Sequence, residues 1–466
     1  MPIPIFYCDT CHDHIVNDTT IAAVKELFRR EGSDAWWTKS AAEILPAGFK
    51  CPHCGGTGFH KEKDIMDVWF DSGSSHAAVL EQRPELQWPA DLYLEGSDQH
   101  RGWFQSSLLT SVATRGKPPY KSVLTHGFVV DGEGRKMSKS VGNVIYPQEV
   151  IKKYGADVLR LWVASADYKA DIRISPDILK QLSEVYRKIR NTFRYILGNL
   201  SDFKPSRDMV AYSELSELDR WALLRLEQVR EKVTKAYDDY EYHLLYHTVH
   251  NFCAVDLSSF YLDILKDRLY TSRPDDPLRR AAQTAMYQIL ETLVVILSPV
   301  LTFTTEEVWR YMPEREDRPE SVQMAEWPAG HPEHLDAALA EKWAAILAVR
   351  GEITRALEEA RRAKIIGHSL DAVVEIYAED QALAVLNEIS GDLPTILIVS
   401  KTKVYPGLSA APPNAYRSAN FSLAVKVTPA TGEKCERCWI YSGDVGDDRD
   451  NPTLCQRCSQ VMQELK

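Results

Sequence analysis

A chain of 466 residues is too long for one hydrophobic core and predicts three or four domains. Its 44% hydrophobic and 10% aromatic content describes a soluble globular protein, and no apolar run is long enough to span a bilayer. A net charge of −11 argues against indiscriminate nucleic-acid binding and leaves any RNA contact to a local basic patch or to shape. The start, Met1-Pro2-Ile3-Pro4-Ile5, has no basic segment ahead of an apolar one, so no signal peptide and a cytoplasmic location are expected.

Eight of the nine cysteines fall in four Cys-x-x-Cys pairs, and only Cys253 stands alone. In a reducing compartment that spacing favours metal over disulfides. Cys8, Cys11, Cys51 and Cys54 flank a predicted helix, Thr20 to Arg30, and a turn region at Trp36-Trp37. Four thiolates suit a closed tetrahedral zinc site, although the long gap leaves open that the pairs are unrelated. His12, His14 and His53 read as surface residues, because four cysteines already fill the shell.

Asp67-Val68-Trp69-Phe70-Asp71-Ser72-Gly73-Ser74-Ser75 reads as a short aromatic strand and a polar turn, suited to a pocket wall. Asp91 to Leu94 reads as a strand, and Glu95-Gly96-Ser97-Asp98-Gln99 as the opening of a helix running to about Thr114. Polar groups at such a strand-to-helix turn fit a ligand's hydroxyls or amino group. Capping by Ser97 and Asp98 is the simpler alternative, and it explains Glu95 and Gln99 poorly.

The apolar run Val123 to Val130 reads as a buried strand, followed by Gly132, Gly134 and then Lys136-Met137-Ser138-Lys139-Ser140. Two lysines on a glycine-hinged loop at a strand's carboxyl end suit phosphate oxygens, and the bare pattern equally describes a basic surface loop. Beyond it, Ser175-Pro176-Asp177 is a helix start. Leu182, Val185, Tyr186, Ile189, Phe193, Ile196, Leu197 and Leu200 continue at helical spacing. Arg187, Lys188, Arg190 and Arg194 lie on the exposed faces, as an RNA-facing stripe or a solvated one. Further helices are predicted at Ser216 to Tyr240, Tyr242 to Leu269 and Pro277 to Leu297, making a bundle.

Residues 313–332 read as a proline- and charge-rich linker, followed by a helix to about Ala363, the strand Val373 to Tyr377 and a further helix-plus-strand unit. The C-terminal Cys435, Cys438, Cys455 and Cys458 form C-x2-C-x16-C-x2-C, a strong zinc signal. So small a tail needs the metal's binding free energy to fold. Trp439, Arg437 and Arg457 beside it could touch RNA, or could be a packed ring and solvated cations.

The Lys136 to Ser140 loop resembles the signature loop of class I aminoacyl-tRNA synthetases. Together with Asp67 to Ser74 and Leu94-Glu95-Gly96-Ser97-Asp98-Gln99-His100-Arg101-Gly102-Trp103-Phe104-Gln105, it is similar in order and spacing to the isoleucyl-tRNA synthetase family. The resemblance implies a multidomain α/β plus all-α chain: a partial Rossmann-like catalytic core with a zinc-knuckle insertion, an anticodon-binding bundle, a small α+β domain and a zinc tail. The corresponding domains are 1–62 for the zinc-knuckle insertion, 63–175 for the second half of the catalytic domain, 176–312 for the bundle, 313–430 for the linker and α+β junction, and 431–466 for the zinc tail.

The implied roles follow position by position. Glu95 and Gly96 would contact the aminoacyl-adenylate, and Asp98 and Gln99 would hold its ribose and amino-acid portions. Trp69 and Trp103 would wall the side-chain pocket. Lys139, assisted by Lys136 and with Ser138 beside it, would stabilise charge on the ATP phosphates, and His126 and Gly127 would line the adenine side. The implied ligands are isoleucine, ATP with Mg2+, and the cognate tRNA, with zinc at the C-terminal cluster and a second zinc at the N-terminal one; a monomer is expected. A non-catalytic, zinc-containing tRNA-binding module is the alternative, and valine as substrate ranks below both. No His-x-Gly-His sequence occurs in these residues, and neither does the editing domain. The chain is therefore expected to correspond to the family's C-terminal half, with an incomplete parallel sheet whose edge and apolar face another polypeptide would cover.

Overall fold

The computed structural model describes residues 1–465. The chain forms two compact units: Met1–Val129 with Tyr168–Ile172, and Val130–Asp167 with the chain from Arg173 onward. The lysine loop therefore belongs by compactness to the second unit. Among the described residues no helix is long and apolar enough to cross a membrane.

The first unit opens with a three-stranded antiparallel sheet in which β1 (Phe6–Cys8) lies between β2 (His14–Ile15) and β3 (Phe59–Lys61). Helix Asp18–Glu31 begins where Asn17 and Thr20 cap each other's backbone, and buries Val24 and Leu27. Phe6 and Trp36 meet edge to face at the centre of this small core.

Next, Asp67 accepts a hydrogen bond from Trp69 N–H (2.7 Å) and starts a helix, Val68–Gly73. This corrects the strand expected at Trp69-Phe70. The aromatic residues suggested a strand, but the Asp67 cap and the Gly73 approach to Ser106 decide the local conformation. Then β4 (Ala90–Gly96) pairs in parallel with β5 (Tyr120–His126), in register from Ala90 opposite Tyr120 to Gly96 opposite His126. Parallel sheets ordinarily have both faces covered. This one has two strands only, and it exposes Leu94 (52%) and Val123 (39%).

The second unit is built around one continuous apolar core. Ser175 Oγ accepts from Ile178 N–H (3.2 Å) at the start of helix Pro176–Asn199, which buries Leu182, Ile189, Phe193 and Ile196. Helices Glu217–Asp238, Pro277–Leu297 and Thr302–Tyr311 complete the bundle with a long segment from Tyr242 to Thr271. That last segment is not one regular α-helix, as its period suggested: Phe252–Tyr261 is wound as a π-helix. Helix Ala337–Arg362 backs a four-stranded sheet, in the order Tyr416–Arg417, Leu423–Pro429, Ala372–Ala378, Lys401–Pro406. Its central pair is antiparallel, with Val374 opposite Val427, and the Lys401–Pro406 edge is parallel.

Candidate functional site

In the first unit, the carboxyl ends of β4 and β5 gather most of the residues that the sequence singled out. Gly96 ends β4 opposite His126, and its N–H donates to Glu95 Oε2 (3.2 Å). A Cβ on Gly96 would meet Asp98 Oδ1 at 2.7 Å, so only glycine lets that carboxylate fold back over the strand end. Asp98 and Gln99 lie on a 3-10 turn, Ser97–Arg101, with no side-chain cap at its start. The expected single helix from Glu95 is thus broken at Gly102 and restarts as Trp103–Arg115. Gln99 Oε1 accepts the Trp103 N–H (3.0 Å), while its amide nitrogen lies 3.4 Å from Asp98 Oδ2.

Trp103 is fixed on three sides. Its ring stacks on buried Tyr93 at 4.3 Å and 5°, its indole N–H donates to Ser72 O (3.1 Å), and its backbone is held by Gln99. The Trp69 ring lies 3.3 Å from where a Gly102 Cβ would stand. Glu95, Asp98 and Gln99 therefore stand together at the carboxyl end of β4, and the Trp69 ring and Gln99 both close on Gly102. Carboxylates and an amide beside aromatic rings suit a ligand with an apolar side chain and several polar hydrogens. Gly102 was quoted in the sequence motif without a role; the close approaches of Gln99 and Trp69 give it one.

In the second unit, Lys136 and Lys139 are exposed, and among the described residues neither ammonium group has an ion-pair partner. Ser138 Oγ lies 3.1 Å from Ser140 Oγ and accepts from Val141 N–H (3.3 Å). Two unpaired ammonium groups on a hydroxyl-bearing loop are available for an anionic ligand.

The four N-terminal cysteine sulfurs lie within 4.8 Å of one another, as do the four C-terminal ones. A zinc ion bound at about 2.3 Å by four thiolates sets sulfur–sulfur separations of about 3.8 Å. The pairs Cys8–Cys54 (3.6 Å), Cys11–Cys51 (3.7 Å) and Cys438–Cys455 (3.8 Å) fit that geometry. Backbone N–H groups of Thr10 and Cys455 donate to sulfur, as thiolates require. Within each cluster the thiols trade protons: hydrogen bonding from Cys458 draws the Cys438 thiol down while Cys458 itself is pushed up, and the Cys11 backbone N–H lowers Cys8 while Cys11 rises. Both donor sets fit zinc, and the two N-terminal pairs belong to one cluster. His12, His14 and His53 take no part in it.

The C-terminal cluster is docked on the bundle. Arg457 makes two 2.7 Å hydrogen bonds to the Asp267 carboxylate, and Arg437 donates to Thr271 O (3.0 Å). Both arginines are thus engaged within the protein, whereas Trp439 is 58% exposed.

Family comparisons agree with this order of parts. Residues 1–175 match the model described as tRNA synthetases class I (I, L, M and V), 219–376 the anticodon-binding domain of tRNA ligase, and 432–461 the zinc finger found in FPG and IleRS. Residues 1–175, less than half of the chain, are thus similar to the class I tRNA synthetases. A solved structure of the ternary complex of Agrobacterium radiobacter K84 agnB2 LeuRS-tRNA-LeuAMS shares the fold. The TM-score is 0.52 at 19% identity, over 81% of this chain and 42% of that one.

The chain as a whole is similar to proteins named isoleucine–tRNA ligase. It is 59% identical to that of Caldanaerobacter subterraneus subsp. tengcongensis, 57% to that of Moorella thermoacetica and 56% to that of Geobacter sulfurreducens. These alignments take in 99–100% of this chain and 50% of each relative. The chain therefore spans about half the length of the curated relatives it matches.

Proposed function

We propose that this chain supplies the adenylate-binding strand end, the phosphate-binding lysines and the tRNA-binding domains of a cytoplasmic isoleucine–tRNA ligase. The observation that carries the reading is the carboxyl end of β4, where Glu95, Asp98 and Gln99 stand together and the Trp69 ring and Gln99 both approach Gly102. An RNA-binding module alone has no use for that grouping. Isoleucine and ATP give isoleucyl-adenylate and pyrophosphate, and the aminoacyl group then moves to the terminal ribose of tRNA.

The roles follow from chemistry. Trp69 and Trp103 bound the aliphatic side chain. Glu95, Asp98 and Gln99 accept hydrogen bonds from the amino group and ribose hydroxyls. Lys139 and Lys136 offset the charge that develops as the isoleucine carboxylate attacks the α-phosphate in line. Mg2+ accompanies ATP, and zinc at each cysteine cluster holds its fold without entering the reaction. Binding of tRNA is supported by the anticodon-domain match and by the exposed Lys188, Arg190 and Arg194 on helix Pro176–Asn199. The uncovered β4–β5 sheet argues for a partner: the N-terminal half of such an enzyme, which would add parallel strands.

The test is amino-acid-dependent ATP–pyrophosphate exchange by the chain mixed with the N-terminal half of a close relative. Isoleucine should support exchange far better than valine, although an apolar pocket separates these two by only about 10²-fold. Equal or better exchange with valine would assign the other substrate. Tight tRNA binding with no exchange for any amino acid would leave a non-catalytic RNA-binding module.

A further inference from the structure

The lysine loop is held by two residues outside it. Asp131, only 7% exposed, directs its carboxylate into the turn ahead of the loop. Its Oδ1 accepts the N–H groups of Glu133 (3.0 Å) and Arg135 (2.8 Å), and its Oδ2 accepts Arg135 Nε (3.0 Å) and Asn143 Nδ2 (2.9 Å). The hydrogen bond from Asn143 heads the causes that hold this carboxyl well below the usual range.

Asn143 then passes the connection on to the loop. Its Oδ1 accepts the Ser138 N–H (2.9 Å), and its Nδ2 also lies 3.3 Å from Lys136 O. The amide's orientation is dictated chemically: a carboxylate on one side can only accept, and a backbone N–H on the other can only donate. One continuous chain, Asp131 to Asn143 to Ser138, therefore clamps the backbone between the two lysines. An antiparallel bridge between Val130 and Lys136 adds to the clamp. The tip beyond Ser138, with Lys139 and Ser140, is exposed; it is closed by the Ser138 and Ser140 hydroxyls and by the Gly142 N–H, which donates to Ser138 O (3.1 Å).

We propose that Asp131 and Asn143 are positioning residues of the lysine loop: their clasp fixes the base that presents Lys136 and Lys139 to the phosphates. The functional part rests on the phosphate reading of the loop given above; the clasp itself does not. The two residues act on the lysines through the backbone and need not touch the ligand.

The most informative substitution is Asn143→Asp. It keeps the shape, removes the amide donor and sets a second carboxylate against Asp131. The exchange of partners, Asp131→Asn with Asn143→Asp, restores a donor–acceptor pair at the same net charge as Asp131 with Asn143. Limited trypsin digestion of the full chain reads the loop directly, because Arg135, Lys136 and Lys139 are cleavage sites within it. Asn143→Asp should raise cleavage there roughly tenfold, the effect of losing about one net hydrogen bond, with the thermal midpoint unmoved. The double exchange should recover much of the protection.

In the two-part protein, Asn143→Asp should lower kcat for pyrophosphate exchange and leave KM for isoleucine unchanged. Unaltered cleavage in Asn143→Asp would overturn the clasp while leaving the phosphate reading intact. Faster cleavage with unaltered exchange would overturn the positioning role and count against phosphate contact by the loop.

Discussion

Gln99 shows how a residue's role exceeds its local propensity. By accepting the Trp103 N–H it restarts a helix after the Gly102 break, and it leaves its amide beside Asp98 at the strand end. Sequence alone brought out Glu95, Asp98 and Gln99, because capping explains too few of them, but the close approach of Gln99 and the Trp69 ring to Gly102 is a tertiary contact that no local pattern encodes. Arg437 and Arg457 are the converse case: their charge was legible, while their engagement by Thr271 and Asp267 arises from a helix 166 and 190 residues away in sequence. Two predictions belong at this scale. Lys139→Ala should lower exchange by about 10²- to 10³-fold with the tRNA dissociation constant unchanged, checked by steady-state kinetics beside filter binding. Asp219 is fully buried and accepts from Tyr261 Oη (2.8 Å) and Arg268 Nη1 (2.9 Å). Asp219→Ala strands both partners and should cost about 3 kcal/mol, read as a lower urea midpoint at unchanged slope.

Among the elements, those announced by caps and breakers were the most legible. Helices Pro176–Asn199 and Pro277–Leu297 begin where Ser175-Pro176 and Asp276-Pro277 stand, since both cues fix the first turn locally. Period alone was less informative in Phe252–Tyr261, a one-sided segment whose Val255, Ser258 and Ser259 are exposed. Phe252, Cys253, Leu257, Phe260 and Tyr261 are all buried, so the turn-to-turn pattern left open whether the bonds close as α or π, and packing decided it. The cysteine clusters were legible because tetrahedral thiolate binding dictates the spacing, although the meeting of Cys8 and Cys11 with Cys51 and Cys54 had to come from pairing of β1 with β3. The purified chain should contain two zinc ions, and Cys458→Ser should leave one, measured by atomic emission after exhaustive dialysis. Arg457→Ala should retain both ions yet speed amide exchange in helix Gln456–Glu464, because it removes the clamp on Asp267 and spares the ligands.

At the scale of the whole molecule, the two units differ in how fully their apolar surface is covered. The second buries one continuous core through bundle and sheet. The first leaves β4 and β5 as a lone parallel pair, with Leu94, Val123 and the Val68 side chain (69% exposed) facing outward. Half-length coverage of the relatives and this uncovered sheet both bear on the proposal that adenylate chemistry here uses strands and side chains of an N-terminal half. The most direct measurement is isoleucine-dependent ATP–pyrophosphate exchange as the N-terminal half of a close relative is titrated into a fixed amount of this chain. The account predicts none at the start, then a rise that saturates near equimolar addition and is abolished by Lys139→Ala. Full exchange by the chain alone, or none at saturation when the two halves demonstrably bind, would contradict it.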